Sequence, residues 1–241
     1  MANTGIRYTA EIKDVREVAL YGVADLPFWR VILRREGLFP YNSGGNAELV
    51  LSATALAWKG FKFREWIATV AICAEEHEAQ HDGFYLALAF NTSRVLAFAE
   101  RRFFKTPYYH GSVHVDEQTP ALIDVSERRR TLFRAEMEQP RAPVSVDDEA
   151  WSGPVFLPNS MTKNHSQGQK FFVSVSGEQA IYAFSPTTDR LALSASEDHE
   201  LFQWLIDSGF TATEWRIRGS AEHARSQTYD RAFQAASRAG G

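Results

Sequence analysis

Lys62-Phe63-Arg64-Glu65-Trp66-Ile67-Ala68-Thr69-Val70-Ala71-Ile72-Cys73, followed after a polar break by Phe84-Tyr85-Leu86-Ala87-Leu88-Ala89-Phe90, decides how this chain folds. Both runs are apolar and rich in β-branched and aromatic residues. Asp82-Gly83, a turn signal, stands directly before the second. The spacing predicts two strands. Working outward, Glu48 to Trp58 precedes them and Val95 to Ala99 follows, each again an apolar run bounded by polar punctuation. Further out lies the aromatic and β-branched run from Pro27 to Glu36, and a Gly-, Asn- and Pro-rich loop from Gly37 to Asn46 follows it.

The same strand spacing continues at Tyr109 to Val115, Ala121 to Val125 and Leu132 to Met137. Pro140, Pro143 and the acidic Asp147, Asp148 and Glu149 then predict a connector. Strands resume at Phe171 to Val175, Ala180 to Phe184 and Arg190 to Ser194. Two helices are expected near the end. Ser196 can cap a helix from Glu197 to Ile206, with Leu201, Trp204 and Leu205 on one face and Gly209 beyond its end. After a strand from Thr213 to Arg218, the spacing of Ala224, Tyr229, Ala232, Phe233 and Ala236 predicts a second helix over residues 221 to 238. The fold class is mainly β: a large, mostly antiparallel sheet, curled or closed, with a few peripheral helices.

The 241 residues, 44% hydrophobic and 13% aromatic, supply a full core without staples. A net charge of -4 argues against a nucleic-acid or anionic-membrane partner and for a small substrate. Cys73, the one cysteine, rules out an internal disulfide. No apolar run approaches the ~20 residues needed to span a bilayer. The N-terminus lacks the pattern of a signal peptide, so a cytoplasmic location is expected.

His77-Glu78-Ala79-Gln80-His81 matches the H-E-x-x-H pattern, in which a helix presents two imidazoles to zinc and the glutamate activates water. Its setting here, between two strands and among further carboxylates, reads instead as a solvated hairpin loop. Lys105, one of six lysines, follows Arg101, Arg102, Phe103 and Phe104. Like-charge repulsion and desolvation would free its amine for attack on a carbonyl. The simpler alternative is an exposed charged edge. His110 and His114 lie four apart in one expected strand and would share a face. There is no P-loop, G-x-G-x-x-G, C-x-x-C or G-x-S-x-G, which removes the nucleotide, dinucleotide, redox and serine-hydrolase readings.

The ordered pieces Gly37-Leu38-Phe39-Pro40, Ala47-Glu48-Leu49, Phe63-Arg64-Glu65, Phe84 to Asn91, Ala97-Phe98-Ala99-Glu100-Arg101 and Pro107-Tyr108-Tyr109-His110-Gly111 resemble the acetoacetate decarboxylase-like superfamily. The resemblance covers residues 25 to 137. It implies a cone or barrel of curled antiparallel sheet with an interior site, where the family's decarboxylases form a Schiff base between a lysine and a β-keto acid, assisted by carboxylates. Glu65 matches the glutamate of the family's Y-x-E motif, and Glu48 lies near a second expected carboxylate. In the P-K-K-x-G frame of the decarboxylases this chain has Tyr108 where the lysine stands. Lys105 lies three residues earlier. Arg30 and Arg34 are the residues close to the family's site arginine.

Together these readings lead us to expect a single domain over residues 1–241. We expect an enzyme that acts on a small oxo or hydroxy acid, or a polyketide-like molecule, by decarboxylation, dehydration or cyclisation. Glu65 would be the general acid/base, Tyr108 and His110 would position or protonate the substrate, and Lys105 is the imine candidate. Glu48, Tyr109, His114 and Arg30 are candidate substrate contacts. No cofactor is expected. The partners expected are a small-molecule substrate and further copies of the chain, the latter suggested by 17 Phe, 8 Tyr and 6 Trp. The alternatives are a non-catalytic small-molecule-binding protein and a zinc-dependent hydrolase using His77, Glu78 and His81.

Overall fold

A computed structural model describes residues 5–73, 76, 80–161 and 168–233. Its long strands are β1 (Tyr8–Asp25), β4 (Asn46–Trp58), β5 (Phe61–Cys73), β6 (Gly83–Asn91), β11 (Ser145–Phe156), β12 (Gln169–Ala183) and β14 (Thr211–Ser226). They pair in the order β5-β4-β1-β14-β12-β11-β6, and β6 pairs back onto β5. The sheet therefore closes on itself. Most pairings are antiparallel, while β6 runs parallel to β11 and to the short β7 (Tyr108–His110). Closure satisfies the backbone groups that an open edge would leave unpaired. Short β2 (Phe39–Pro40), β3 (Asn42–Ser43) and β15 (Tyr229–Asp230) extend its margins.

Strand alternation gives each long strand two faces. On β5 the even positions Trp66, Ala68, Val70 and Ile72 are buried in the main core. There they meet a second, four-stranded sheet of β8 (Ser112–Asp116), β9 (Leu122–Glu127), β10 (Arg130–Glu136) and β13 (Arg190–Leu193), together with α3 (Glu200–Asp207). Trp66 is the hinge of this packing: its indole stacks on Phe202 of α3 at 5.7 Å and lies 5.5 Å from Phe133 of β10. The odd positions of β5 face the other way. Ile67 packs against a cluster that joins Leu86 of the adjacent β6 to Val155 of β11 and Phe171 of β12, and these last two strands are not its immediate neighbours, which identifies this face as the inside of the ring.

Two expected strands are helices. Pro27 to Glu36 falls largely in α1 (Leu26–Arg34), because Leu26, Trp29 and Leu33 recur at helical rather than alternate spacing and are all buried. Asp25 Oδ1 accepts from the Phe28 N–H at 2.6 Å and Pro27 sits in the first turn, so the start is doubly fixed. Asp25→Ala should cost about 1 kcal/mol in urea unfolding. Val95 to Ala99 belongs to α2 (Arg94–Phe103), capped by Ser93, with Ala97 buried and Val95, Phe98 and Phe103 exposed. The expected connector at 140–149 is partly strand, since β11 starts at Ser145. The helix expected over 221–238 is strand as far as Ser226, pairing with β1 and β12, and residues 234–238 lie outside the described residues. The helix at 197–206 forms slightly later, as α3, with His199 rather than Ser196 at its cap.

Candidate active site

Glu65 lies on the inner face of β5, opposite Thr54 of β4 and Asn91 of β6. Its Oε1 accepts from Asn91 Nδ2 at 2.7 Å, and its Oε2 faces the Tyr108 hydroxyl at 3.4 Å. Asn91 is fully buried and Tyr108 nearly so. Burial raises the Glu65 pKa from 4.5 to about 7, with the nearby Glu100 adding to the effect against the opposing pull of Arg225, Asn91 and Tyr108. Burial also pushes the Tyr108 phenol well above its usual value, reinforced by Glu65 and Glu100. The pair is therefore a carboxyl poised near neutrality beside a phenol that stays protonated.

Arg225 of β14 comes across the ring to this pair. Its Nη1 lies 2.6 Å from Glu100 Oε1, and Glu100 Oε2 accepts from the Thr106 hydroxyl at 3.0 Å. The guanidinium carbon lies 4.2 Å from the Phe171 ring centroid and 5.2 Å from that of Phe104. α2 thus delivers Glu100 to the ring's interior while its own outer side chains face solvent.

A second polar group continues the inner face. Glu17 of β1 pairs in register with Thr54 and with Arg218 of β14, which puts it two strands, ~10 Å, from Glu65. Arg218 bridges Glu17 at 3.0 Å and Glu149 of β11 at 3.1 Å, while Ser52 donates to Glu17 at 2.7 Å. His223 Nε2 lies 3.6 Å from Glu17. Although burial alone would raise it, these partners hold the Glu17 pKa at about 2. Glu65 and Glu17 share one inner surface yet sit in opposite states at pH 6, one largely protonated and one ionised. Ile67, Leu86, Val155, Phe171 and Val173 supply the apolar part of that surface.

No family model and no curated protein matches the sequence. Solved structures do. Acetoacetate decarboxylase from Legionella pneumophila matches over 96% of this chain and 91% of its own, with a TM-score of 0.65 and 12% identity. The chain therefore has the acetoacetate decarboxylase-like fold. An acetoacetate decarboxylase-like enzyme from Sphingomonas wittichii matches over 91% and 92% of the two chains, at a TM-score of 0.59 and 13% identity. The enduracididine biosynthesis enzyme MppR, complexed with pyruvate, matches over 93% and 91%, at a TM-score of 0.62 and 12% identity.

On this acetoacetate decarboxylase-like framework, the residues expected to form the site separate. Glu65 and Tyr108 are brought together. His110 follows Tyr108 on the same face of β7 but is exposed. His114 is exposed on β8, in the other sheet, so the shared face expected for the two histidines does not form. The break is at Gly111, where a Cβ would lie 2.6 Å from Phe90 and the chain leaves one sheet for the next. Tyr109 points to the outer core, 4.5 Å from His199 and under the Arg101 guanidinium at 4.4 Å. Glu48 faces the same way as Thr54 but six residues along β4, ~20 Å from the level of Glu65. Arg30 lies on α1 and pairs with Glu76 at 3.4 Å.

Lys105 does not follow strand alternation from Phe103, because α2 ends between them. It sits in the turn after the helix at a φ of 57°, and its ammonium donates to the Arg102 carbonyl at 2.9 Å. The other described lysines are placed elsewhere: Lys13 pairs with Glu222, Lys59 lies over Trp58, Lys62 is exposed and Lys170 lies over Phe156. Of the H-E-x-x-H segment, His77 and Glu78 lie outside the described residues; His81 packs on Phe84 at 4.9 Å. Among the described residues no three histidine, cysteine or carboxylate side chains sit together as a metal set. Sequence reasoning missed Asn91, Glu100, Arg225 and the Glu17–Arg218 pair. The alternation Arg216-x-Arg218 and His223-x-Arg225 was the signal available.

Proposed function

We propose that the chain catalyses proton transfer on a small oxo acid inside the ring, with Glu65 as general acid/base and the neutral Tyr108 as its hydrogen-bonding partner, and without an imine. The observation that carries this is the Glu65 carboxyl, half-buried, bonded to Asn91 and Tyr108, and tuned to about pH 7. A general base works best when its pKa lies near the working pH. Tyr108 cannot replace the amine of the family's lysine, since a phenol forms no Schiff base, but it can hold a carbonyl or enolate oxygen next to Glu65. Proton removal beside a carbonyl is the step shared by dehydration, cyclisation and condensation, and proton delivery to an enolate completes a decarboxylation. The pyruvate of the MppR complex gives a first substrate class to try.

The test is deuterium uptake into the methyl group of pyruvate in D2O, followed as loss of its proton NMR signal. The rate should climb with pH to a plateau with a midpoint near 7, as Glu65 ionises. Borohydride added with pyruvate or acetoacetate should leave every lysine unmodified in peptide mass mapping. A stable adduct on Lys105 or any other lysine would replace this mechanism by a Schiff-base one. Binding of pyruvate with no exchange at any pH would favour the binding-protein reading.

A further inference from the structure

Arg225 has more hydrogen-bonding capacity than its neighbours use. Nη1 is taken by Glu100, whereas Nε and Nη2, which share one edge of the guanidinium, are buried and have no partner among the described residues. An unpaired buried donor is costly, and here two point from the same edge. That edge is the geometry that grips a carboxylate through two parallel N–H···O bonds. The arginine is already held: Glu100 fixes one end, Thr106 fixes Glu100, and the Phe171 ring lies 4.2 Å from its guanidinium carbon. It stands beside Glu65 on the inner face, with the apolar Ile67, Phe171 and Val173 adjoining.

We propose that Arg225 receives the substrate's carboxylate along its Nε/Nη2 edge, so that the carbon next to that carboxylate is presented to Glu65 and Tyr108. The substrate class is thereby narrowed to monocarboxylates bearing an oxo or hydroxy group, with an apolar remainder against Ile67 and Val173. Phe104, at the partly exposed C-cap of α2 and 5.2 Å from the guanidinium carbon, is the side chain that yields to admit the ligand. The proposal rests on the acid/base reading of Glu65 for the role of the bound carbon, but not for the binding itself.

The experiment compares pyruvate with its uncharged isostere pyruvamide, by calorimetric titration into wild type, Arg225→Gln, Glu65→Gln, and the double variant Glu100→Gln/Arg225→Gln. The double variant removes the Glu100 carboxylate that the loss of Arg225 would otherwise leave without its ion-pair partner. Two charge-assisted hydrogen bonds predict a preference for pyruvate of at least ~10-fold in wild type and in Glu65→Gln. Both variants lacking Arg225 should lose that preference. Wild type without a preference, or an Arg225 variant that keeps it, overturns the proposal. If the preference is lost as expected while wild type exchanges no deuterium, the carboxylate site stands and the acid/base reading falls. Equal exchange on both compounds by wild type gives the reverse.

Discussion

Glu65→Gln should cut deuterium exchange into pyruvate by ~10²–10⁴-fold and yet make the folded chain more stable at pH 8. Both effects come from one carboxyl. In the folded chain its pKa is about 7, against 4.5 for an ordinary glutamate. Between those values the folded state holds a proton that the unfolded state has released, so stability falls as pH rises through this window and stays lower above it. The difference corresponds to about 3 kcal/mol at pH 8. Glutamine keeps an acceptor oxygen for Asn91 and carries no charge to desolvate, so it escapes that cost. Urea midpoints should therefore be higher in the variant at pH 8 and nearly equal to wild type at pH 4. A variant less stable than wild type at pH 8 would show that Glu65 is not desolvated, and undiminished exchange would remove it from the chemistry. The opposite signs set this prediction apart from a folding defect, which would lower both quantities.

How much of this could be read in the sequence differs between the walls and the contents of the ring. β4, β5 and β6 announce themselves because each buries an unbroken apolar face, as Trp66, Ala68, Val70 and Ile72 do against Phe133 and Phe202. α1 was hidden by composition: Phe28, Trp29, Val31 and Ile32 favour strands, but the period of Leu26, Trp29 and Leu33, with Asp25 as cap, decided otherwise. The end of β14 was misread for the converse reason. Its alanines favour helix, and only pairing with β1 and β12 makes it a strand. Glu65 and Tyr108 were legible as a pattern in order along the chain. The charges that tune Glu65 were not, because Arg225 lies far along the chain from Glu65 and Glu100, and Glu17 meets Arg218 across 201 positions. Such contacts exist only after the ring has closed, and no local signal encodes them.

Arg218→Ala should cost about 3–5 kcal/mol at pH 7, among the largest losses available to a single polar substitution in this chain. Arg218 and Glu17 are each exposed by no more than a tenth of the side chain, so removing the guanidinium leaves a desolvated carboxylate with only Ser52 and His223 beside it. The exposed pair Lys13–Glu222 is a built-in contrast, and Lys13→Ala should change stability by less than ~1 kcal/mol. The pH dependence carries the sharper test. The folded pKa of Glu17 is depressed from 4.5 to about 2, so its contribution is fully present above 4.5 and is lost as pH falls through that window. The gap between wild type and Arg218→Ala in urea unfolding should accordingly narrow from pH 6 toward pH 2, where Glu17 is about half protonated even in the folded wild type. A gap that is small at pH 7, or constant with pH, would mean that the two side chains are not coupled as their 3.0 Å contact implies. The paired substitution Glu17→Leu/Arg218→Met should recover most of the loss, because an apolar pair avoids both desolvation costs. Such a recovery would mean that the ionic pair does not hold the ring together, and would leave its field on the inner face, ~10 Å from Glu65, as the property that the apolar pair lacks.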